Sequence, residues 1–295
     1  MPSWTEVLTE IQSEASNSNV LDKVRRKYLK LIFEKTNRNV IAYYSGWLQN
    51  QGDSSAINDK DKNAFMANIH GLDRRLGLDL ILHTPGGDLA ATESLIDYLR
   101  SMFGNNVRAI IPQISMSAGT LIALSCKEIM MGKQSNLGPI DPQMGGIACQ
   151  AVLDEFQKAI KDITDNPSSA ILWQSIISKY HPTFLNSCEN AIDWSKILAE
   201  EFLKSNMFHG NEEKIAEVLN LFSERSNTKS HSRHISIDKC KSVGLNIIDM
   251  EMENELQDLI LTVHHSFMHT FSNSNAVKIV ENHLGNAFIE KGIES

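Results

Sequence analysis

Apolar and polar positions along this chain switch repeatedly between a strand period and a helix period. Val40-Ile41-Ala42-Tyr43-Tyr44 has the β-branched and aromatic content of a strand. Residues 59–76 place Phe65, Ile69, Leu72 and Leu76 on one helical face. Leu78 to His83 is a nearly continuous apolar run, the signature of a strand covered on both faces. A helix over 88–103 follows, with Leu89, Leu95, Ile96, Leu99 and Met102 turned inward. Val107 to Ile111 then reads as a strand, Ala118 to Ser125 as a buried helix, and Ile129 to Met131 as a short strand. Alternation of this kind predicts a parallel α/β unit with right-handed crossovers.

Outside that core, residues 1–35 read as helices broken near Ser16-Asn17-Ser18-Asn19. Helical patterns recur over 151–164, 186–225 and 251–270, and residues 226–234 form a polar linker. Ile235 to Val243 resembles a short strand and helix ending at Gly244. We therefore expect an N-terminal helical extension over 1–38, an α/β domain over 39–250 and a C-terminal helical segment over 251–295.

Composition narrows the function classes. The net charge of -8 and the scattered basic residues argue against nucleic acid as a partner, because phosphate binding needs a basic stripe. The one dense basic cluster, Lys23, Arg25, Arg26, Lys27 and Lys30, reads as the solvated face of an amphipathic helix. Cys126, Cys149, Cys188 and Cys240 lack CxxC spacing and read as buried free thiols of a reducing compartment. The acidic opening MPSWTEVLTEIQSE has no signal-peptide pattern, and no apolar run reaches membrane-spanning length. A cytoplasmic protein is expected.

The candidate chemistry lies in two small-residue turns about thirty residues apart, Thr84-Pro85-Gly86-Gly87 and Met116-Ser117-Ala118-Gly119-Thr120. Each follows an apolar run and opens onto a helix. A paired glycine at a strand end can aim backbone N–H groups at an anion, and it also suits a plain tight turn. Asp88 and the absence of a nearby lysine argue against a phosphate cradle. Ser117, at a helix start, suits either an N-cap or a nucleophile.

HTPGGDL and MSAGTLIAL resemble the paired motifs of the ClpP/crotonase superfamily of serine peptidases. GLDLILHTPGGDLAATESLIDYLRSMFG, SMSAGTLIALSCKEIMMGKQSNLGPIDPQ and ISIDKCKSVGLNIID are more similar still to the branch that holds signal peptide peptidase A and the serine dehydrogenase proteinase family. The resemblance spans roughly residues 40–250. It implies a fold of repeated β-β-α units and a Ser117 nucleophile. It also implies an oxyanion hole of N–H groups from Gly86 or Gly87 and from Ala118. A peptide or protein substrate, a homo-oligomer and no metal or other cofactor go with it. By the same resemblance, Asn136 to Gln143 borders bound peptide.

The general base is left open. ClpP-type enzymes carry a histidine about 25 residues after the serine, where this chain has Asp141-Pro142-Gln143 and no histidine before His181. Signal peptide peptidases use a lysine some 40–50 residues on. Lys158 fits that spacing on a helix whose apolar face points elsewhere, and Lys179 has apolar and aromatic neighbours that predict burial. His231 and His234 fall in the polar linker, and His83 reads as strand packing. His265 and His269 share a helical face but lack the glutamate of a zinc-binding HExxH. Two other readings share the fold: a crotonase-type acyl-CoA enzyme, and a non-catalytic scaffold.

Overall fold

The computed structural model describes residues 4–13, 20–50, 55–223 and 230–292. A seven-stranded sheet is its spine. In chain order the strands are β1 (Asn39–Ser45), β2 (Leu78–His83), β3 (Val107–Ile111), β4 (Ile114–Ser115), β5 (Glu128–Met131), β6 (Asn136–Leu137), β7 (Gln143–Met144), β8 (Ile147–Ala148), β9 (Ile235–Ser236), β10 (Ile247–Asp249), β11 (Ala276–Asn282) and β12 (Ala287–Lys291). The main sheet runs β10-β5-β3-β2-β1-β11-β12. Its first five strands pair in parallel and the last two join antiparallel. A small sheet, β4-β6-β9, stands beside it.

Both faces of the inner strands β1, β2 and β3 are covered, which is why they lack a polar side, whereas β12 at the edge alternates exposed and half-buried residues. Ile41, Tyr43, Leu78, Leu80, Leu82, Ala109 and Ile111 enter one core, and Val40, Ala42, Tyr44, Ile81 and Ile110 enter the other. The first core is closed by α3 (Lys60–Ile69), α4 (Leu89–Phe103), α5 (Ala118–Leu124) and residues of two later helices, α8 (Phe184–Phe202) and α9 (Glu212–Ser223). The second is closed by α2 (Val20–Thr36) and the helix Asn254–Ser272, through Leu29, Ile32, Ile260, Phe267 and Phe271. Helix α6 (Cys149–Asp165) packs with α8 around a third, smaller cluster, and α7 (Ala170–Ile177) rests on α6. Helix α1 (Trp4–Ser13) rests on α2 and the helix 254–272.

Several expectations are corrected. The helix expected over 59–76 stops at Ile69; Gly71 takes φ +83°, and Asp73 caps a separate short turn by accepting from the Arg75 N–H. The C-terminal segment is not helical throughout: 276–291 forms a hairpin whose first strand pairs with β1. The basic face of α2 is only partly solvated. Arg25 is fully buried, with Nε 2.8 Å from Glu281 and Nη1 2.7 Å from Thr270, because the hairpin brings a carboxylate to it. The break expected at 16–19 lies outside the described residues. All four cysteines are buried, and desolvation pushes Cys126 and Cys240 up to about 12.

Histidines at the sheet's second face set a pH limit on the fold. His83 and His264 are buried against Tyr44, with ring centroids 5.2 Å apart. Burial, and then the neighbouring His265, pushes His264 down to about 3; burial, and then His264, pushes His83 well below its usual value. Unfolding frees both to take up protons near ~6.5, so the unfolded state binds more protons below that pH. Stability contributed by the neutral rings is thus present above pH ~6.5 and is lost as pH falls toward ~3. His264→Phe should reduce the stability lost between pH ~6.5 and ~4.5 by up to about 2–3 kcal/mol. Urea unfolding at the two pH values measures it; an unchanged acid loss contradicts the assignment.

Candidate active site

The site begins where β2 ends. An isolated parallel bridge joins Thr84 to Ser115, with the Met116 N–H donating to Thr84 O at 3.0 Å. This bridge sets the TPGG turn directly against the turn that follows β4. Gly86 takes φ +98°, and a Cβ there would lie 2.6 Å from Ser117 Cβ and 2.8 Å from Met116 O. Conformation and space therefore both require glycine. A Cβ on Gly87 would collide with the backbone of Ile57, which pairs with it in a second bridge.

Ser117 has φ +50° and ψ −118°, a conformation that an L residue holds only when its surroundings impose it. Those surroundings are visible. The Gly119 N–H donates to Met116 O at 2.8 Å, and the N–H groups of Thr120 and Leu121 both donate to Ser117 O. Thr120 Oγ1 accepts from the Gly138 N–H at 3.0 Å and reaches the Ser115 and Gly138 carbonyls at 3.0 and 2.9 Å. It ties the turn to the strand segment after β6. Ser117 itself makes no side-chain capping bond, so the N-cap reading fails and its half-buried hydroxyl is left for other work.

The backbone donors divide unequally. The Gly86 N–H is engaged by Thr84 Oγ1 at 3.2 Å. Among the described residues, no acceptor is found for the N–H of Gly87 or of Ala118. Both residues, with Ser117, border a cleft of about 520 Å³ whose apolar wall includes Leu89, Leu121, Ile140, Met144 and Trp194. The Asp88 carboxylate, also at this cleft, caps α4 by accepting from the Ala91 N–H at 2.8 Å. An electrophile entering here would find a hydroxyl and two free donors together.

The two lysines are placed elsewhere. Lys158 is exposed on α6 and borders a separate depression with Glu155, Trp173 and Tyr180. Lys179 is exposed as well, against the burial expected for it. Its apolar neighbours explain the difference: Ile171 and Leu172 are 81% and 64% exposed, and α7 buries only Trp173. Neither lysine lines the Ser117 cleft. His181 is exposed, and His83 is enclosed by Tyr44, Trp47 and His264. His269 packs on Trp4, and no group of three or more potential metal ligands occurs among the described residues.

Sequence reading missed one pair. His231 Nδ1 lies 3.0 Å from Asp141 Oδ1. Asp141 sits between Ile140 and Pro142, both cleft residues. His231 borders a neighbouring cavity of about 350 Å³ with Pro85 and Met116, the residues just before Gly86 and Ser117. The pair is 90 residues apart in sequence, so no local spacing could announce it. Asp141 in place of the expected histidine was the only available hint.

A family model described as "ClpP-like SDH-type serine proteinase" matches residues 18–275. The uncharacterized protein MJ0137 of Methanocaldococcus jannaschii is 26% identical over 204 residues, covering 69% of this chain and 64% of its own. The uncharacterized protein MJ1495 of the same organism is 27% identical over 191 residues, covering 65% of this chain and 59% of its own. The chain thus spans less than two thirds of the length of either relative.

Because the Ser117 backbone is strained and its side chain caps nothing, Ser117→Gly should fold with unchanged or higher stability. A gain of up to about 1 kcal/mol is expected from relief of the positive φ. Chemical unfolding measures it; an ordinary cap would instead lose a few tenths of a kcal/mol on replacement by glycine.

Proposed function

This chain belongs to the ClpP-like SDH-type serine proteinase family, and we propose that it is a peptidase in which Ser117 attacks the substrate carbonyl. The family implies a crotonase-like fold, and the largely parallel sheet fits that description. One observation carries the reading: a strained, half-exposed serine hydroxyl and two unengaged N–H groups, from Gly87 and Ala118, share one cleft. In a tetrahedral intermediate the two N–H groups would receive the oxyanion, a contribution of about 2.7–4 kcal/mol per donor. Gly86, whose N–H already serves Thr84, instead provides the close approach.

For the proton of Ser117 we favour His231, which lies outside the Ser117 cleft as the lysines do but borders the adjoining cavity with Pro85 and Met116. The Asp141 carboxylate engages Nδ1 and so orients the ring, leaving Nε2 to accept a proton. A lysine base needs a dry pocket to lose its own proton, and both Lys158 and Lys179 stand in solvent. Collapse of the intermediate breaks the C–N bond, with the protonated His231 giving its proton to the leaving amine; water, losing a proton to His231, then attacks the acyl-enzyme and releases the acid. The apolar cleft wall favours peptides with an apolar side chain next to the scissile bond. The expected homo-oligomer has an available surface in exposed Ile160, Ile171, Leu172 and Ile197 on α6, α7 and α8. Among the described residues no helix is long and apolar enough to cross a membrane.

Labelling with a fluorophosphonate and mapping the modified residue tests the nucleophile. Ser117→Ala should lose labelling and peptidase activity; hydrolysis at the original rate would refute the proposal. His231→Ala should lower turnover by roughly 100-fold or more, while Lys158→Ala and Lys179→Ala stay near the original rate. The reverse pattern, with one lysine variant inactive and His231→Ala intact, would return the base to that lysine.

A further inference from the structure

Residues 56–58 form a clasp on the glycine turn. The Ile57 N–H donates to Gly86 O at 2.8 Å, and Ile57 O accepts from the Asp88 N–H at 2.9 Å. These two bonds straddle Gly87. Along an extended segment successive amides alternate sides, so bonding Gly86 O and Asp88 N to one side turns the Gly87 N–H to the other. The clasp therefore sets where that donor points.

The segment 56–58 belongs to no regular strand, and two buried charges hold its ends. Lys278 Nζ donates to Ala56 O at 2.7 Å. The Asn58 N–H donates to Asp61 Oδ2 at 3.0 Å. Lys278 Nζ and Asp61 are themselves joined at 2.8 and 3.1 Å, and the Tyr43 hydroxyl donates to Asp61 Oδ2 at 2.8 Å. Lys278, Asp61 and Tyr43 are each only 1% exposed. They come from three distant elements: β11, α3 and β1. A buried ion pair is a poor source of net stability but a strongly directional one. Here its directions converge on the two residues that flank Ile57.

We propose that Lys278, Asp61 and Tyr43 are positioning residues for catalysis, which aim the Gly87 N–H at the oxyanion by fixing residues 56–58. The proposal rests on the reading of Ser117 and Gly87 given above. None of the three residues lines the Ser117 cleft; their effect passes through Ile57 and the glycine turn. Weakening the cluster should impair binding of a tetrahedral oxyanion while leaving ground-state peptide binding alone.

The test compares a peptide aldehyde, which adds the serine oxygen to its carbonyl and forms a hemiacetal in this cleft, with the same peptide as its carboxamide. Wild type should bind the aldehyde far more tightly, and Ser117→Ala should not. Lys278→Met should lower aldehyde affinity and kcat tenfold or more, with carboxamide affinity and KM within about twofold; total loss of one donor is worth roughly 100–1,000-fold. Lys278→Met leaves Asp61 buried without its cation and can fail to fold. Tyr43→Phe is the second variant, removing one hydroxyl at constant shape; three- to tenfold on the aldehyde alone is expected. Folded variants that bind both ligands as wild type does, or lose both equally, overturn the clasp's role. Wild type and Ser117→Ala binding the aldehyde equally would overturn the site reading itself, and the clasp's role with it.

Discussion

The closeness of two backbones governs this molecule. Parallel neighbours in a sheet stand about 4.8 Å apart, and β2 and β3 end at the same edge. The Thr84–Ser115 bridge carries their continuations on together until Gly86 meets the Ser117 turn. Any side chain at Gly86 would push the two apart. Small residues in this region therefore have distinct duties: Gly86 admits the serine turn, Gly87 admits Ile57, and Gly119 packs on Thr84 and Ser115. Thr120 supplies the polar tie that holds the serine turn to the segment after β6.

Strands covered on both sides leave no wet face on which charge can rest, so their buried charges Asp79, Glu281 and Lys278 are answered. Asp79, at the start of β2, is met by Arg38 and Arg108, each at 2.6 Å. Glu281 on β11 is met by Arg25 and Arg26, each at 2.8 Å. Lys278, three residues earlier on the same strand, is met by Asp61. The C-terminal hairpin thus sends one charge to α2 and another to the segment beneath the glycine turn. It completes the sheet and couples both ends of the chain to the neighbourhood of the cleft.

The main strands and the helices between them were legible in sequence, because each carries its period in contiguous residues. The run Leu78 to His83 announced a strand buried on both faces, and the two glycine- and serine-bearing turns announced the corners. Elements whose stability comes from distant partners were less legible. Residues 276–291 show weak alternation, and they become strands by pairing with β1. Arg25 belonged, by pattern, to a solvated stripe, and Glu281, Asp22 and Thr270 make its burial tolerable. Lys179 had the right neighbours for burial in sequence, but those neighbours stay largely exposed.

Sequence alone determined the α/β alternation, the family, and the pairing of Ser117 with the Gly86-Gly87 turn, since each is carried by contiguous motifs, the two turns standing about thirty residues apart. Tertiary structure decided the rest of the site. It showed that Ser117 caps nothing, that Gly87 rather than Gly86 has a free N–H, and that Asp141 has His231 as its partner. It also set Lys278 and Asp61 on either side of Ile57. The pairings of Asp141 with His231 and of Lys278 with Ala56 join groups separated by tens to hundreds of residues. Hydrogen bonds and excluded volume act over a few ångströms, so they become readable only once the fold has brought those groups together.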